Sequence, residues 1–179
     1  MKRIIVAVLA AFLGFWPAFS QRTVNTQFFL EVGANGPKGA SVGMGQYLNF
    51  GYWQVDVCGD VVAAVLSTGG DLDYIQVSAQ GGYMYRVAKN YSRSVNLYAG
   101  GGIVQGCEAA DPFGMAEGLQ TQLTKSYSYL YGLYPKVELE LFPFRGVALD
   151  LYGSLPVVLG SQFGKMLYPK AGASLRFML

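Results

Sequence analysis

The chain has no histidine among its 179 residues, which removes the most frequent general base and every histidine-dependent nucleophilic dyad or triad. Cysteine is scarce as well. Cys58 and Cys107 are too few to define a disulfide framework, and neither sits at a metal-ligand spacing. The strand order derived below does not make their strands neighbours, so two free thiols are expected. Charge is thin, at 13% Asp, Glu, Lys and Arg against about a quarter in an ordinary soluble domain. Beyond residue 20 no stretch approaches the roughly 18 uninterrupted apolar residues of a membrane helix. No catalytic residue, cofactor, metal or small-molecule substrate is expected from such a chain.

Aromatics, by contrast, reach 15% and glycine numbers 24. A chain so apolar and so poor in charge would be sticky in water. If lipid is its solvent, the absence of a spanning helix means that strands must meet it, because only helices and closed barrels satisfy their backbone groups in a bilayer.

Residues 1–20 read as a removable signal. Lys2 and Arg3 precede an apolar run over 4–15, followed by Pro17 and small residues Ala18 and Ser20 before the expected cut at Gln21. The run is too short for a spanning helix, which needs about 20 apolar residues. Residues 21–179 then form one domain of ordinary size. The 13 basic residues include Lys2 and Arg3, so 11 remain beside 11 acidic ones. A formally neutral domain without a basic face is not suited to direct nucleic-acid binding.

Period-two alternation runs through this domain. Tyr127, Tyr129, Tyr131, Leu133, Pro135, Val137, Leu139 and Leu141 share one parity, with Ser128, Gly132, Lys136, Glu138 and Glu140 on the other. The pattern recurs near 75–87, 95–103, 147–155 and 167–177. Less regular strands are expected near 26–34, 39–49 and 51–67, the last through Trp53, Val55 and Val57. Eight strands with no helix between them predict an all-β fold: an eight-stranded antiparallel transmembrane β-barrel, with both termini at one side.

Short inner turns are expected near 49–51, 88–93 and 142–146, and outer loops at 35–38, 67–71, 106–122 and 157–164. The longest loop carries Glu108, Asp111, Phe113 and Glu117 and is the candidate surface for a protein partner. Tyr127, Tyr129 and Tyr131 at one end, with Phe142, Phe144 and Phe177 at the other, suit two aromatic girdles at the lipid headgroups. Pro135 and Pro169 fall inside strand patterns, where each is expected to cost a ladder hydrogen bond unless a bulge takes it up. The glycines over 33–39 read as a hairpin turn, and Gly100, Gly101 and Gly102 as a tightly curved strand.

If the apolar parity faces lipid, the lumen receives Glu31, Arg86, Lys136, Glu138, Glu140, Asp150, Lys170 and Arg176. Four acids balanced by four bases suggest an ion-paired plug in preference to an open channel, since an unpaired buried ion costs several kcal/mol. Glu138 and Glu140 share a face, but beside so many cations they read as salt-bridge partners before they read as a catalytic pair. A soluble barrel binding a small apolar ligand would require the opposite facing, because a one-residue change exchanges the whole apolar set with the charged one.

The domain also resembles the conjugative transposon protein TraO family. The likeness runs from Gln21-Arg22 through Leu30-Glu31-Val32-Gly33-Ala34 to residues 131–177, including Pro169-Lys170-Ala171-Gly172-Ala173 and Leu175-Arg176-Phe177. In size it is similar to the OmpA type of small barrel. Lys170, Gly172, Leu175 and Phe177 resemble the spacing of an outer-membrane assembly signal, with Met178 and Leu179 following the aromatic residue. The resemblance implies a structural, non-enzymatic component of a mating apparatus, with outer-membrane lipid and other conjugation proteins as partners. A general envelope barrel for adhesion or membrane integrity is the alternative.

Mass spectrometry of the protein recovered from its host envelope should find Gln21 at the amino terminus. Recovery of intact Met1 or of the 4–15 segment would show that the leader is not removed.

Overall fold

A computed structural model describes residues 27–36, 38–65, 71–90, 94–110, 127–161 and 166–179. The expected signal segment, residues 1–20, therefore lies outside the described residues, as do Asp111, Phe113 and Glu117. The described chain is all strand and turn: β1 (Phe28–Asn35), β2 (Gly39–Leu48), β3 (Gly51–Val65), β4 (Asp71–Lys89), β5 (Val95–Ala110), β6 (Tyr127–Phe144), β7 (Val147–Ser154), β8 (Val157–Leu159) and β9 (Lys170–Met178).

Each strand pairs antiparallel with its neighbours, and pairing of β5 with β6 and of β1 with β9 closes the sheet. Strands β7 and β8 are one stave. Both pair with β6, Ser154 opposite Lys136 and Val157 opposite Leu133, so the register crosses Leu155 and Pro156 without slipping. The result is the expected closed barrel of eight staves.

The lengths differ from expectation at several ends. Residues 106–110 continue β5, and Val157–Leu159 is strand where a loop is expected. Ala88 and Lys89 still belong to β4, and β6 runs on to Phe144, leaving a turn at 145–146 with Gly146 at φ 78°. The prolines do not create bulges. Register shifts fall instead between Arg86 and Ala88 and between Leu141 and Phe144. Pro135 keeps its place by accepting the Leu155 N–H at 3.0 Å. At Pro169 little is lost, because Tyr168 N–H turns to Pro156 O and the last bond toward the β1 side is Gly36 N–H to Ala171 O.

Following hydrogen-bonded partners around the barrel leads from Leu30 to Met44, Val55, Gly81, Ile103, Leu133, Val157 and Leu167. Continued by the β1–β9 register, this path returns level with position 40, ten residues past its start. With a rise of about 3.3 Å per residue and strands about 4.8 Å apart, that stagger tilts the staves by about 40°. Every residue on the circuit except Gly81 is apolar, and the circuit lies on the outer face.

Outward exposure is correspondingly apolar: Leu133 is 63% and Val137 54% exposed, with Leu30, Val32, Val42, Met44 and Ile103 alongside. The facing required for an inward-lined soluble barrel is thereby excluded. Tyr127, Tyr129 and Tyr131 are exposed toward the loop end, and Phe144 and Phe177 toward the end carrying the termini. Phe142 is a correction. It shares parity with Glu138 and Glu140 and is buried inside, so it is not part of the girdle.

The interior is layered. Near the termini Phe29, Tyr47, Tyr52, Met84 and Tyr98 pack together, and toward the loops Tyr74, Val104, Leu130, Tyr134, Val158 and Tyr168 do so. Gly82 and Gly102 stand in one row with Tyr134, whose hydroxyl would lie 2.8 Å from a Cβ at Gly82. A Cβ at Gly102 would collide with the carbonyl oxygen of Gly81. Gly102→Val is therefore expected to lower folding stability by about 1–3 kcal/mol, read as a shifted urea midpoint in detergent micelles. An unchanged midpoint would mean that the row has slack.

Candidate functional site

Between the two apolar layers lies a band of charge centred on Arg176. This residue follows Leu175 in the alternation of β9, so its side chain points inward, where it is 0% exposed. Four carboxylates from three strands converge on its guanidinium. Nε lies 2.7 Å from Glu31 and 3.0 Å from Asp150, and Nη1 lies 2.9 Å from Glu138 and 3.4 Å from Glu140. Nη2 donates to Glu138 Oε2 at 3.0 Å and to the Tyr52 hydroxyl at 2.9 Å. The guanidinium carbon also sits 4.3 Å from the ring centroid of Tyr52 and 4.6 Å from that of Phe29.

The planar fork of arginine suits this role, since it can satisfy several carboxylates at once where a lysine ammonium would act as a point charge. Tyrosines complete the shell. Tyr52 donates to Glu138 at 2.6 Å, Tyr98 to Glu140 at 3.1 Å, and Tyr47 also to Glu140, while Asn96 donates to Glu140 at 2.8 Å. Asp150 is in ionic contact with Arg176, yet neither of its oxygens has a directed hydrogen bond.

Toward the loops, Lys136 lies 2.8 Å from Glu138 and 3.4 Å from Gln54 Oε1, and Gln54 donates to Asp56 at 2.6 Å. Beyond them Lys170 pairs with Asp60. A polar cavity of about 20 Å³ touches Glu31, Asp56, Gln80, Lys136 and Tyr152, which is room for one water. Solvent does not reach Arg176, Glu138, Glu140 or Asp150.

Seven of the eight expected lumen residues thus share the interior: Glu31, Lys136, Glu138, Glu140, Asp150, Lys170 and Arg176. Arg86 does not join them. It adjoins the register shift of β4 and donates to Asn49 O at 2.8 Å in an exposed turn contact. Glu108 is a further correction. It is fully buried in β5, accepting from Ser128 at 2.7 Å and Ser161 at 2.9 Å, and offers nothing to a partner at the surface.

Asp56 and Asp60 were missed, although Gln54, Asp56, Cys58 and Asp60 form the polar parity opposite Val55 and Val57. With Arg86 outside and Asp56, Asp60 and Glu108 inside, the balance changes. Among the described residues the interior holds seven acids (Glu31, Asp56, Asp60, Glu108, Glu138, Glu140 and Asp150) and three bases (Lys136, Lys170 and Arg176). Cys58 faces inward from β3 and Cys107 outward from β5, with β4 between them, and both are free.

Solved structures include similar barrels. Neisserial surface protein A aligns with a TM-score of 0.56 and 14% identity over 85% of this chain and 93% of its own. The two share a fold. Ail, the attachment invasion locus protein of Yersinia pestis, solved in complex with the heparin analogue sucrose octasulfate, gives 0.49 and 12% over 86% and 95%. No protein-family model and no curated protein matches the chain.

Removing the guanidinium would leave its carboxylates buried and facing one another. Arg176→Met is expected to cost about 3–5 kcal/mol of unfolding free energy, with part of it restored when Glu31→Gln and Glu138→Gln are added. Urea titration in micelles reads both effects, and a single variant as stable as the parent would deny Arg176 its central place.

Proposed function

We propose that the chain is a structural, non-enzymatic protein of the outer membrane, exported by its amino-terminal leader, and an envelope component of a conjugative transfer apparatus. The membrane part is carried by one observation: the charged parity converges on Arg176 inside a closed barrel while Leu133, Val137 and their row face out. Such a surface is costly in water and suited to hydrocarbon, and a closed barrel leaves no unpaired edge there.

The lumen is a seal in this reading. Its core side chains exclude solvent, and each carboxylate around Arg176 is matched by a hydrogen bond or an ionic contact. A path for a solute would have to break several of these together.

The transfer role is supported by the resemblance to the TraO family over 30–34 and 131–177. With the interior closed, contact with other components of a mating apparatus falls to the loop end, where Asp111, Phe113 and Glu117 lie on the longest connection. A general surface barrel for adhesion or envelope integrity is the second reading, favoured by the fold shared with Neisserial surface protein A. Genes for transfer machinery beside this one would favour the first.

Membrane separation followed by gel migration with and without boiling should recover the protein in the outer membrane with a boiling-dependent shift. Deleting its gene should then lower transfer frequency or recipient contact. Unchanged transfer and contact would remove the conjugation role while leaving the membrane barrel intact.

A further inference from the structure

Charge is divided unevenly between the two ends of the barrel. Of the 11 acids in the chain, the four that are not in the interior set, Asp71, Asp73, Asp111 and Glu117, fall at or beyond the strand ends on the side of the longest connection. The end that carries the termini has none. No Asp or Glu occurs over 1–30, 41–55, 74–107, 141–149 or 151–179, and those stretches supply every segment of that end. Its described bases are Arg86, Lys89 and Arg145. Residues 21–26 and 91–93 contain Arg22 and Arg93 and no acid, so they only add to the positive charge. The terminal carboxylate of Leu179, counted against three bases, leaves this end positive.

The bases are spread around the rim. Arg86 donates to Asn49 O at the β2–β3 turn, Lys89 closes β4 at the β4–β5 turn, and Arg145 lies in the β6–β7 turn. All three turns are tight. Those at 49–50 and 145–146 have two residues each, and in the third Asn90 N–H donates to Val95 O at 3.0 Å, so none carries its charge far from the wall. Each base also adjoins an exposed apolar side chain: Arg86 is bonded through its N–H to Phe50 O, Val87 lies two residues before Lys89, and Phe144 precedes Arg145. Cationic heads above apolar surface suit the level where hydrocarbon gives way to lipid headgroups. Inward there is no target, because Phe29, Tyr47, Tyr52, Met84 and Tyr98 fill the lumen at this end.

We propose that this basic collar binds anionic phospholipid in the leaflet around the end that carries the termini, with Arg86, Lys89 and Arg145 each drawing headgroups to its own turn. This rests on the membrane reading above. Spacing selects the partner: one acidic protein segment would meet one turn at a time, whereas the headgroups of a leaflet surround all three. Depth selects it too, because tight turns beside Phe50, Val87 and Phe144 hold the charges at the edge of the apolar belt. At the other end the four acids stand with three bases, Lys38, Lys125 and Lys165, so the sequence supplies no matching excess there. The collar thus couples the orientation of the barrel to the charge of one leaflet.

Full-length protein would be reconstituted in nanodiscs of phosphatidylcholine with a minor share of phosphatidylglycerol, and the lipids it retains counted by native mass spectrometry. Retained phosphatidylglycerol should exceed its share of the bilayer by about fivefold, the effect of about one basic residue near an anionic surface. Reconstitution at about 1 M salt should shrink that excess, since screening then acts over about 3 Å. The excess should vanish when Arg86→Gln, Lys89→Gln and Arg145→Gln are combined. It should persist when Lys38→Gln, Lys125→Gln and Lys165→Gln remove as many charges from the other end. Only protein keeping its boiling-dependent gel shift is scored. Lys89→Gln with Arg145→Gln, both exposed changes, should lose most of the excess and keeps the comparison readable if the triple variant fails to fold.

No excess in the parent protein would overturn the inference and leave the collar to an acidic protein of the envelope. So would an excess that the collar variants keep, or one that the variant at the other end loses. Displacement by millimolar inorganic phosphate at constant ionic strength would also overturn it, reassigning the collar to the free anion. Failure of the parent protein to insert in the bilayer would sink the membrane reading as well, whereas an inserted barrel without lipid selection sinks this inference alone.

Discussion

A single guanidinium holds the interior together. Arg176 is surrounded by carboxylates from β1, β6 and β7, and of these groups only Glu31, at the small polar cavity, has any contact with solvent. The burial of so many charges is sustainable only because attraction, hydrogen bonds and aromatic faces act on the same few atoms. Tyr47, Tyr52 and Tyr98 are indispensable to that balance. Each places an apolar ring in the layer near the termini and a hydroxyl on a glutamate, so one side chain serves both the packing and the charge.

The stagger of the sheet makes this concentration possible. Eight staves closing after a ten-residue displacement enclose a lumen that side chains just fill. In that geometry adjacent strands bring inward residues into register: Glu31 stands opposite Arg176, and Arg176 opposite Ala148. The small residue at 148 leaves room for the guanidinium to extend across the lumen to Glu138. On the outer face, the same register aligns Leu30, Met44, Val55, Ile103, Leu133 and Val157 into a continuous apolar circuit. A single alternation thus determines both surfaces.

This explains what was legible in the sequence. Over 127–141 and 75–87 every second residue is apolar, and there facing and strand identity could be read directly. Beyond 103 the outward positions become Gln105 and Cys107, the alternation fades, and Glu108 reads as part of a loop although backbone pairing with β4 carries the strand through Ala110. The same limit applies to Val157–Leu159, where Pro156 suggests an end but the ladder continues through it. Arg86 has the correct parity for the lumen and fails because a nearby register shift lets its side chain turn to Asn49 O, which no periodicity reveals. Asp56 and Asp60 were readable by parity.

The placement of Arg176 in the last strand bears on how the barrel closes. Its partner Glu31 lies in the first strand, directly opposite in the β1–β9 ladder, so the ion pair straddles the seam. Before the seam forms, β1 and β9 expose unpaired backbone edges that a bilayer does not tolerate. Arg176 already adjoins the acids of β6 and β7 through the β7–β9 ladder, so what the seam adds is Glu31 together with the backbone bonds of the β1–β9 ladder. Backbone closure and the last step of charge pairing therefore fall on the same ladder, and the Arg176–Glu31 contact belongs to the closed barrel alone.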